Sequence, residues 1–282
     1  MVRNWTIKDV LEWTTRYFAD KGIQEPRLEA EVLLAGVLGK DRVYLYAHYD
    51  IPLNQEERNG YKEFISRRVG REPVAYITGH REFMSLDFEV SRDVLIPRPE
   101  TELLVETALE LASHTRINRI CDVGTGSGVI AVSIGHYLTG LDISATDISE
   151  SALAIARGNA DWHGVQVTFL RGDLLSPLQE ELKFDLITAN LPYVAPEKYA
   201  QLEPEVKDYE PMLALVAAGD GLDLYRRLAP QCLDLLAPGG YTLWEIDPEQ
   251  TPYLPAIMTG FDKVEIIKDL AGRNRLVKAR KG

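Results

Sequence analysis

The chain has 282 residues, 45% hydrophobic and 26% charged, the composition of a soluble globular protein with room for two domains. Its formal net charge of −12 repels a phosphate backbone, which argues against a nucleic-acid partner and for a protein one. No apolar run is long enough to cross a bilayer, and Met1 to Asp20 lack the core of a secretory signal, so a cytoplasmic location without membrane association is expected.

Residues 1 to about 75 read as a small helical bundle. Thr6 is placed as an N-cap with Asp9 in the capping-box position, and Ile7, Val10, Leu11, Thr14 and Phe18 recur at helical spacing. Pro26 opens a second helix with an apolar stripe of Leu28, Val32, Leu33 and Val37, stopped at Gly39. A short helix around Val43–Tyr46 and a longer one from Gln55 to Arg68 complete the bundle, and Arg67, Arg68 and Arg71 read as solvated surface charge. Residues 76–96 change period: Phe83 to Val90 alternate as a strand does, which predicts a β-hairpin linker. From 97 to 282 the pattern is β/α. Strands are predicted at Arg119–Val123, Asp142–Thr146, Val165–Leu170, Phe184–Ala189 and Tyr241–Ile246, with helices at Glu102–Ala112, Val129–Tyr137, Ser151–Asp161 and Leu222–Leu236. Strands Lys263–Ile267 and Arg275–Ala279 have no helix between them and predict an antiparallel edge pair. The fold class is therefore α/β, a doubly wound, Rossmann-like sheet behind a helical domain. Ligands in such sheets bind at the carboxyl ends of the strands. The proline-bearing stretch from Leu191 to Asp220 is predicted to form a wall or lid there.

Cys121 and Cys232 have no metal-ligand spacing, Cys121 reads as a buried strand residue, and the five histidines are scattered, so no metal is expected. The run Asp122-Val123-Gly124-Thr125-Gly126-Ser127-Gly128 leads from a strand into a helix, and Asp147 ends the next strand. Glycines let the backbone approach a ligand closely, and a carboxylate at that strand end accepts from a ribose diol. Both features fit any nucleoside-containing cofactor, nicotinamide or otherwise. Asn190-Leu191-Pro192-Tyr193, after the strand Phe184–Ala189, separates the readings. The Asn carboxamide offers one carbonyl acceptor and the backbone of Leu191 a second, Pro192 stiffens the turn, and Tyr193 adds a flat apolar face. Two such acceptors grip a planar NH2 group by both hydrogens. Hydride transfer does not need them; methyl transfer to an amide or exocyclic amino nitrogen does.

These residues resemble the amino-group methyltransferases with an Asn/Asp-Pro-Pro-Tyr motif and, more narrowly, the HemK/PrmC family of peptide-chain release factor glutamine N5-methyltransferases. The likeness runs nearly end to end, through Arg27–Glu31, Pro73–Gly79, Leu95–Glu102, Glu210-Pro211, Gly221–Asp223 and Asp269–Arg273. It implies S-adenosyl-L-methionine as cofactor, S-adenosyl-L-homocysteine as product, and the glutamine of a release-factor Gly-Gly-Gln motif as substrate. It also implies roles: Gly124, Thr125, Gly126, Ser127 and Gly128 under the methionine and ribose, Asp147 on the ribose, Asp173 and Leu174 beside the adenine, and Asn190, Leu191, Pro192 and Tyr193 around the substrate amide. Arg98 to Glu102 would pack over the cofactor. Where the family has a second proline this chain has Leu191, which predicts a looser turn that stays active. Leu174 stands where the family often has an aromatic. The alternative is an adenine N6 or cytosine N4 methyltransferase acting on DNA or RNA, which shares the Asn turn.

Overall fold

The computed structural model describes residues 4–179 and 182–282. The chain forms two compact units, Met1–His80 with Glu203–Tyr209, and Arg81–Leu202 with Glu210–Gly282.

In the first unit, α1 (Ile7–Asp20) begins at Thr6, whose hydroxyl accepts from the Asp9 N–H while the Asp9 carboxylate accepts from the Thr6 N–H, the predicted capping box. α2 (Pro26–Leu38) ends at Gly39, φ +59°. Its buried face differs from the predicted stripe: Ala30, Glu31, Leu33, Leu34 and Ala35 are buried, whereas Leu28, Val32 and Val37 are only partly so. Buried Glu31 accounts for the difference, since Arg27, Arg42 and Tyr46 all donate to its carboxylate and a satisfied polar group can sit on an inward face. α3 (Arg42–Ala47), α4 (Gln55–Val69) and α5 (Val74–Thr78) complete the bundle. The reading of this cluster as solvated charge is corrected for Arg68, while Arg67 and Arg71 keep 33% and 41% of their side chains exposed. Arg68 is 6% exposed and pairs with Glu29 and Glu205, Arg67 grips Glu72 through two nitrogens, and Arg71 reaches Glu205. Sequence could not show the pairs with Glu205, because it arrives from a segment more than a hundred residues later.

The alternating stretch Phe83–Val90 is not one strand. β1 (His80–Phe83) turns back into β2 (Leu86–Glu89) at Met84 and Ser85, both in the left-handed region at φ +51° and +57°, the geometry of a tight hairpin turn. Neither residue announces such a turn. The turn is held from outside, by Glu102 accepting the Met84 N–H at 2.7 Å and Tyr137 donating to the Met84 carbonyl at 2.6 Å.

The rest of the second unit is the expected α/β layer structure. α6 (Glu102–His114) precedes β3 (Arg119–Val123), and α7 (Val129–Tyr137), β4 (Asp142–Asp147), α8 (Glu150–Trp162), β5 (Thr168–Arg171) and β6 (Phe184–Ala189) follow. The helix Asp223–Leu235 leads to β7 (Leu236–Glu245), and β8 (Phe261–Lys268) and β9 (Asn274–Lys281) finish the sheet. The strand order is β5-β4-β3-β6-β7-β9-β8. β3 to β7 are parallel and the last two antiparallel. Alternation puts Ile120, Leu186, Leu243 and Leu276 in one apolar layer, and Cys121, Ile187, Trp244 and Val277 in the other. Single helical turns at Pro196–Tyr199, Pro204–Lys207 and Met212–Leu215 break up the long proline-bearing segment, and its residues 203–209 belong to the helical unit. Among the described residues no helix is long and apolar enough to cross a membrane.

Candidate active site

Strand order reverses between β3 and β6, the crevice where open α/β sheets take ligands. A cavity of about 350 Å³ lies at the carboxyl ends of the strands there, within the size range of small-molecule sites. Its lining brings together Gly124, Thr125, Gly126 and Ser127 after β3, Asp147 at the end of β4, Asp173 and Leu174 after β5, and Asn190, Leu191 and Pro192 after β6. Arg98 and Thr101 line it from the segment before α6, and Pro211, Leu213 and Ala214 from the long segment. Gly128 and Tyr193 are not on the lining. Gly128, at φ +83°, lets α7 pack on α8, since a Cβ there would lie 3.1 Å from that of Ala156. Tyr193 packs against the apolar layer that contains Trp244.

The glycine loop is held by buried polar groups. Asp122, fully buried, accepts from Thr125 Oγ1 at 2.6 Å and from Thr188 Oγ1 at 2.8 Å. Burial pushes its carboxyl up to about 6, opposed by those two hydroxyls. The N–H groups of Gly124 and Thr125 donate to the Thr146 carbonyl, and Gly126 N–H to Asp147 Oδ2 at 2.9 Å. Burial also raises the Asp147 carboxyl. Asn159 on α8 fastens the same loop by donating to the Ser127 carbonyl while exchanging two hydrogen bonds with Glu89 of β2. Asp173 is engaged with Arg227, which also lines the cavity. Glu210 accepts from Arg98 and from the Ile96 N–H, fastening the segment before α6 to the one after Tyr209.

The Asn turn has a definite orientation. Asn190 Nδ2 donates to Thr101 Oγ1 and to Glu245 Oε2, both at 3.1 Å, and Thr101 Oγ1 donates to the same Glu245 oxygen at 2.7 Å. With its nitrogen committed, the carboxamide keeps its oxygen, for which no donor is found among the described residues. The Leu191 N–H, absent where the family has proline, is taken by the Tyr225 hydroxyl at 3.3 Å, and that hydroxyl donates in turn to the Glu245 carbonyl. Leu191 itself is 4% exposed. The turn is therefore pinned rather than looser, because the added N–H has a buried acceptor. Sequence reasoning missed Glu245, Tyr225 and Asn159. A carboxylate closing an otherwise apolar strand, and an Asn on the inward face of a helix, were the available signals.

The comparisons with known proteins agree along the whole chain. Residues 9–79 match the PrmC N-terminal domain and residues 99–204 the methyltransferase small domain. A release factor glutamine methyltransferase of Geobacter sulfurreducens is 42% identical over 280 residues, 99% of this chain and 98% of that protein. One of Koribacter versatilis is 40% identical over 276 residues, covering 98% and 99%. The chain belongs to the release factor glutamine methyltransferase family. Solved structures carry the fold further: the hMettl16 catalytic domain superposes with TM-score 0.55 at 18% identity over 78% of this chain and 82% of that one. A T. thermophilus 16S rRNA methyltransferase gives 0.53 at 16% over 72% and 50%. The methyl donor is S-adenosylmethionine, and the cavity suits it. Gly126, at φ +55°, has open space where a Cβ would be, beside the Asp147 carboxylate and the apolar Ile148 and Leu174. Among the described residues no three His, Cys, Asp or Glu side chains come together as a metal site.

Proposed function

We propose that this protein transfers a methyl group from S-adenosylmethionine to the side-chain amide nitrogen (N5) of the glutamine in the Gly-Gly-Gln motif of peptide-chain release factors, with Asn190 as the residue that presents the amide. The observation that carries the reading is the tethered Asn190 nitrogen, which leaves the carbonyl oxygen as the uncommitted group of a side chain on the cavity wall. S-adenosylmethionine supplies a methyl carbon made electrophilic by its sulfonium, and S-adenosylhomocysteine is the product. Asn190 Oδ1 and the Leu191 carbonyl accept the two amide hydrogens, so that the nitrogen, whose lone pair is otherwise delocalised into its carbonyl, is oriented for in-line attack. The amide proton leaves after the N–C bond forms, and no side chain is needed as a base beforehand. Pro192 holds the Leu191 carbonyl in place, and Tyr193 supports the turn from behind. Positioning of this kind contributes up to about 7–11 kcal/mol at its limit.

Gly124, Thr125, Gly126 and Ser127 take the methionine and ribose portion, Asp147 the ribose hydroxyls, and Asp173 and Leu174 the adenine, with Gly128 setting the helix behind them. Residues 1–75 serve as the substrate-recognition domain, 76–96 as the hairpin linker and 97–282 as the methyltransferase domain. The protein works in the cytoplasm on a protein substrate without a nucleic-acid partner, in keeping with a net charge of −12.

The test offers labelled S-adenosylmethionine with release factor, with a release factor whose Gly-Gly-Gln glutamine is alanine, and with DNA or RNA. Label confined to the intact release factor is expected; label in nucleic acid would establish the amino-nucleobase alternative instead. Asn190→Ala should abolish turnover far more than it weakens cofactor binding. Equal losses in kinetics and titration would reassign Asn190.

A further inference from the structure

We infer that Glu245 and Thr101 are positioning residues that decide which way round the Asn190 carboxamide sits, ionised Glu245 keeping the amide oxygen turned to the cavity. The inference rests on the reading of Asn190 as the amide-presenting residue and adds to it the control of that residue.

The argument is one of donor and acceptor direction. An ionised carboxylate only accepts. Thr101 has a single hydroxyl hydrogen, and it is given to Glu245 Oε2 at 2.7 Å. The Thr101 oxygen can then only accept from Asn190, and the second neighbour of the same Asn190 atom is Glu245 Oε2 itself. Two acceptors thus face one end of the carboxamide. Only its nitrogen can face them, and its oxygen must point away. The three side chains are brought together from the start of α6, the end of β6 and the end of β7. Thr101 and Glu245 are both 2% exposed, so water cannot substitute for either.

Protonation reverses the logic. A neutral Glu245 gives its hydrogen to Thr101, whose own hydrogen is then free for the Asn190 oxygen, and both orientations of the amide become allowed. Burial pushes the Glu245 carboxyl up to about 7, opposed by the Thr101 hydrogen bond and by Arg275. The charged and titratable groups around it are Arg98 and Glu100 ahead of α6, Tyr193 after β6, Tyr225 on the helix Asp223–Leu235 and Arg275 on β9. Burial raises both tyrosines above their ordinary range. The Glu245 carboxyl, which touches Asn190, is expected to titrate near neutrality.

The experiment measures kcat and KM for release-factor methylation against pH, and the S-adenosylmethionine Kd by calorimetry, for the wild type and for Glu245→Gln, Thr101→Val, Thr101→Ser and Asn190→Ala. Wild-type kcat is expected to rise between about pH 6 and 8 and level off. Glu245→Gln can present either an oxygen or an NH2 group, so it should lose about 10- to 100-fold in kcat, the scale of a misplaced reacting group. Its cofactor Kd should stay within about twofold of wild type and its pH dependence should flatten. Thr101→Ser should restore what Thr101→Val loses. Wild-type kcat in Glu245→Gln, or a lowered kcat that keeps the wild-type pH profile, overturns the inference. If Asn190→Ala is as active as wild type, the reading of Asn190 fails with it. If Asn190→Ala collapses while Glu245→Gln and Thr101→Val behave as wild type, only the control by Glu245 and Thr101 fails.

Discussion

The Tyr225 hydroxyl accepts the Leu191 N–H at 3.3 Å and passes its own hydrogen to the Glu245 carbonyl. One buried oxygen thereby ties the turn after β6 to the end of β7. It also explains how a residue with an N–H is accommodated at a position that family resemblance assigns to proline.

Tyr225→Phe should leave the Leu191 N–H and the Glu245 carbonyl without their partner. A buried unsatisfied group costs about 1–3 kcal/mol. In a Leu191→Pro background one of the two orphans no longer exists, so the same change should cost less. Urea denaturation of the four proteins forms a double-mutant cycle, and a coupling energy of zero would show that the bond contributes nothing.

Gly124 is held for two separable reasons. Its φ of +69° disfavours any Cβ, and a Cβ there would lie 2.7 Å from Leu191 Cδ2. Gly124→Ala should therefore cost the left-handed strain of about 1–2 kcal/mol together with an overpacking cost of about 1–3 kcal/mol. Introduced into Leu191→Ala, it should cost only the backbone part. Equal costs in both backgrounds, by chemical denaturation, would mean that Leu191 is not the obstacle.

Asp122 makes stability depend on pH in an unusual direction. Its carboxyl ordinarily titrates at 3.8 and is pushed up to about 6 by burial. Between these values the folded protein holds a proton that the unfolded chain has lost, so this contribution is full below about pH 4 and falls away as pH rises through 6. Asp122→Asn lacks this loss. Relative to wild type it should gain up to about 3 kcal/mol between pH 4 and pH 7. Denaturation midpoints for both proteins across that range test it; a constant difference would mean that Asp122 is ionised throughout.

In the helical unit, Arg68 sits between Glu29 and Glu205 with 7% of its side chain exposed, against 19% for each carboxylate. Arg68→Met removes the cation and leaves two half-buried carboxylates. The cost should be about 2–4 kcal/mol, toward or below the low end for broken buried pairs because the partners keep some solvent. Arg68→Lys should recover only part, since an ammonium cannot fork between two carboxylates. A loss under about 1 kcal/mol by urea titration would return Arg68 to the class of surface charges.

Much of this was legible from local chemistry. Capping at Thr6, the helix stop at Gly39, the β/α alternation and the antiparallel close of the sheet follow from periods and turn residues in runs of ten or so positions. The hairpin itself was legible, but its turn at Met84-Ser85 was not, because neither residue favours positive φ and the turn depends on Glu102 and Tyr137. The buried face of α2 was missed for a related reason: Glu31 counts as polar in any pattern, and only its three donors make it an inward residue.

The sequence by itself determined the strand ends, the glycine loop and the Asn190 turn, because each is set by the conformational freedom of a few consecutive residues. The tertiary structure alone decided which way the Asn190 carboxamide points and what becomes of the Leu191 N–H. Those outcomes depend on hydrogen-bond partners 89 residues before Asn190, 55 after it and 34 after Leu191. Direction in a hydrogen-bond network is a property of groups brought together by folding, and no local pattern encodes it.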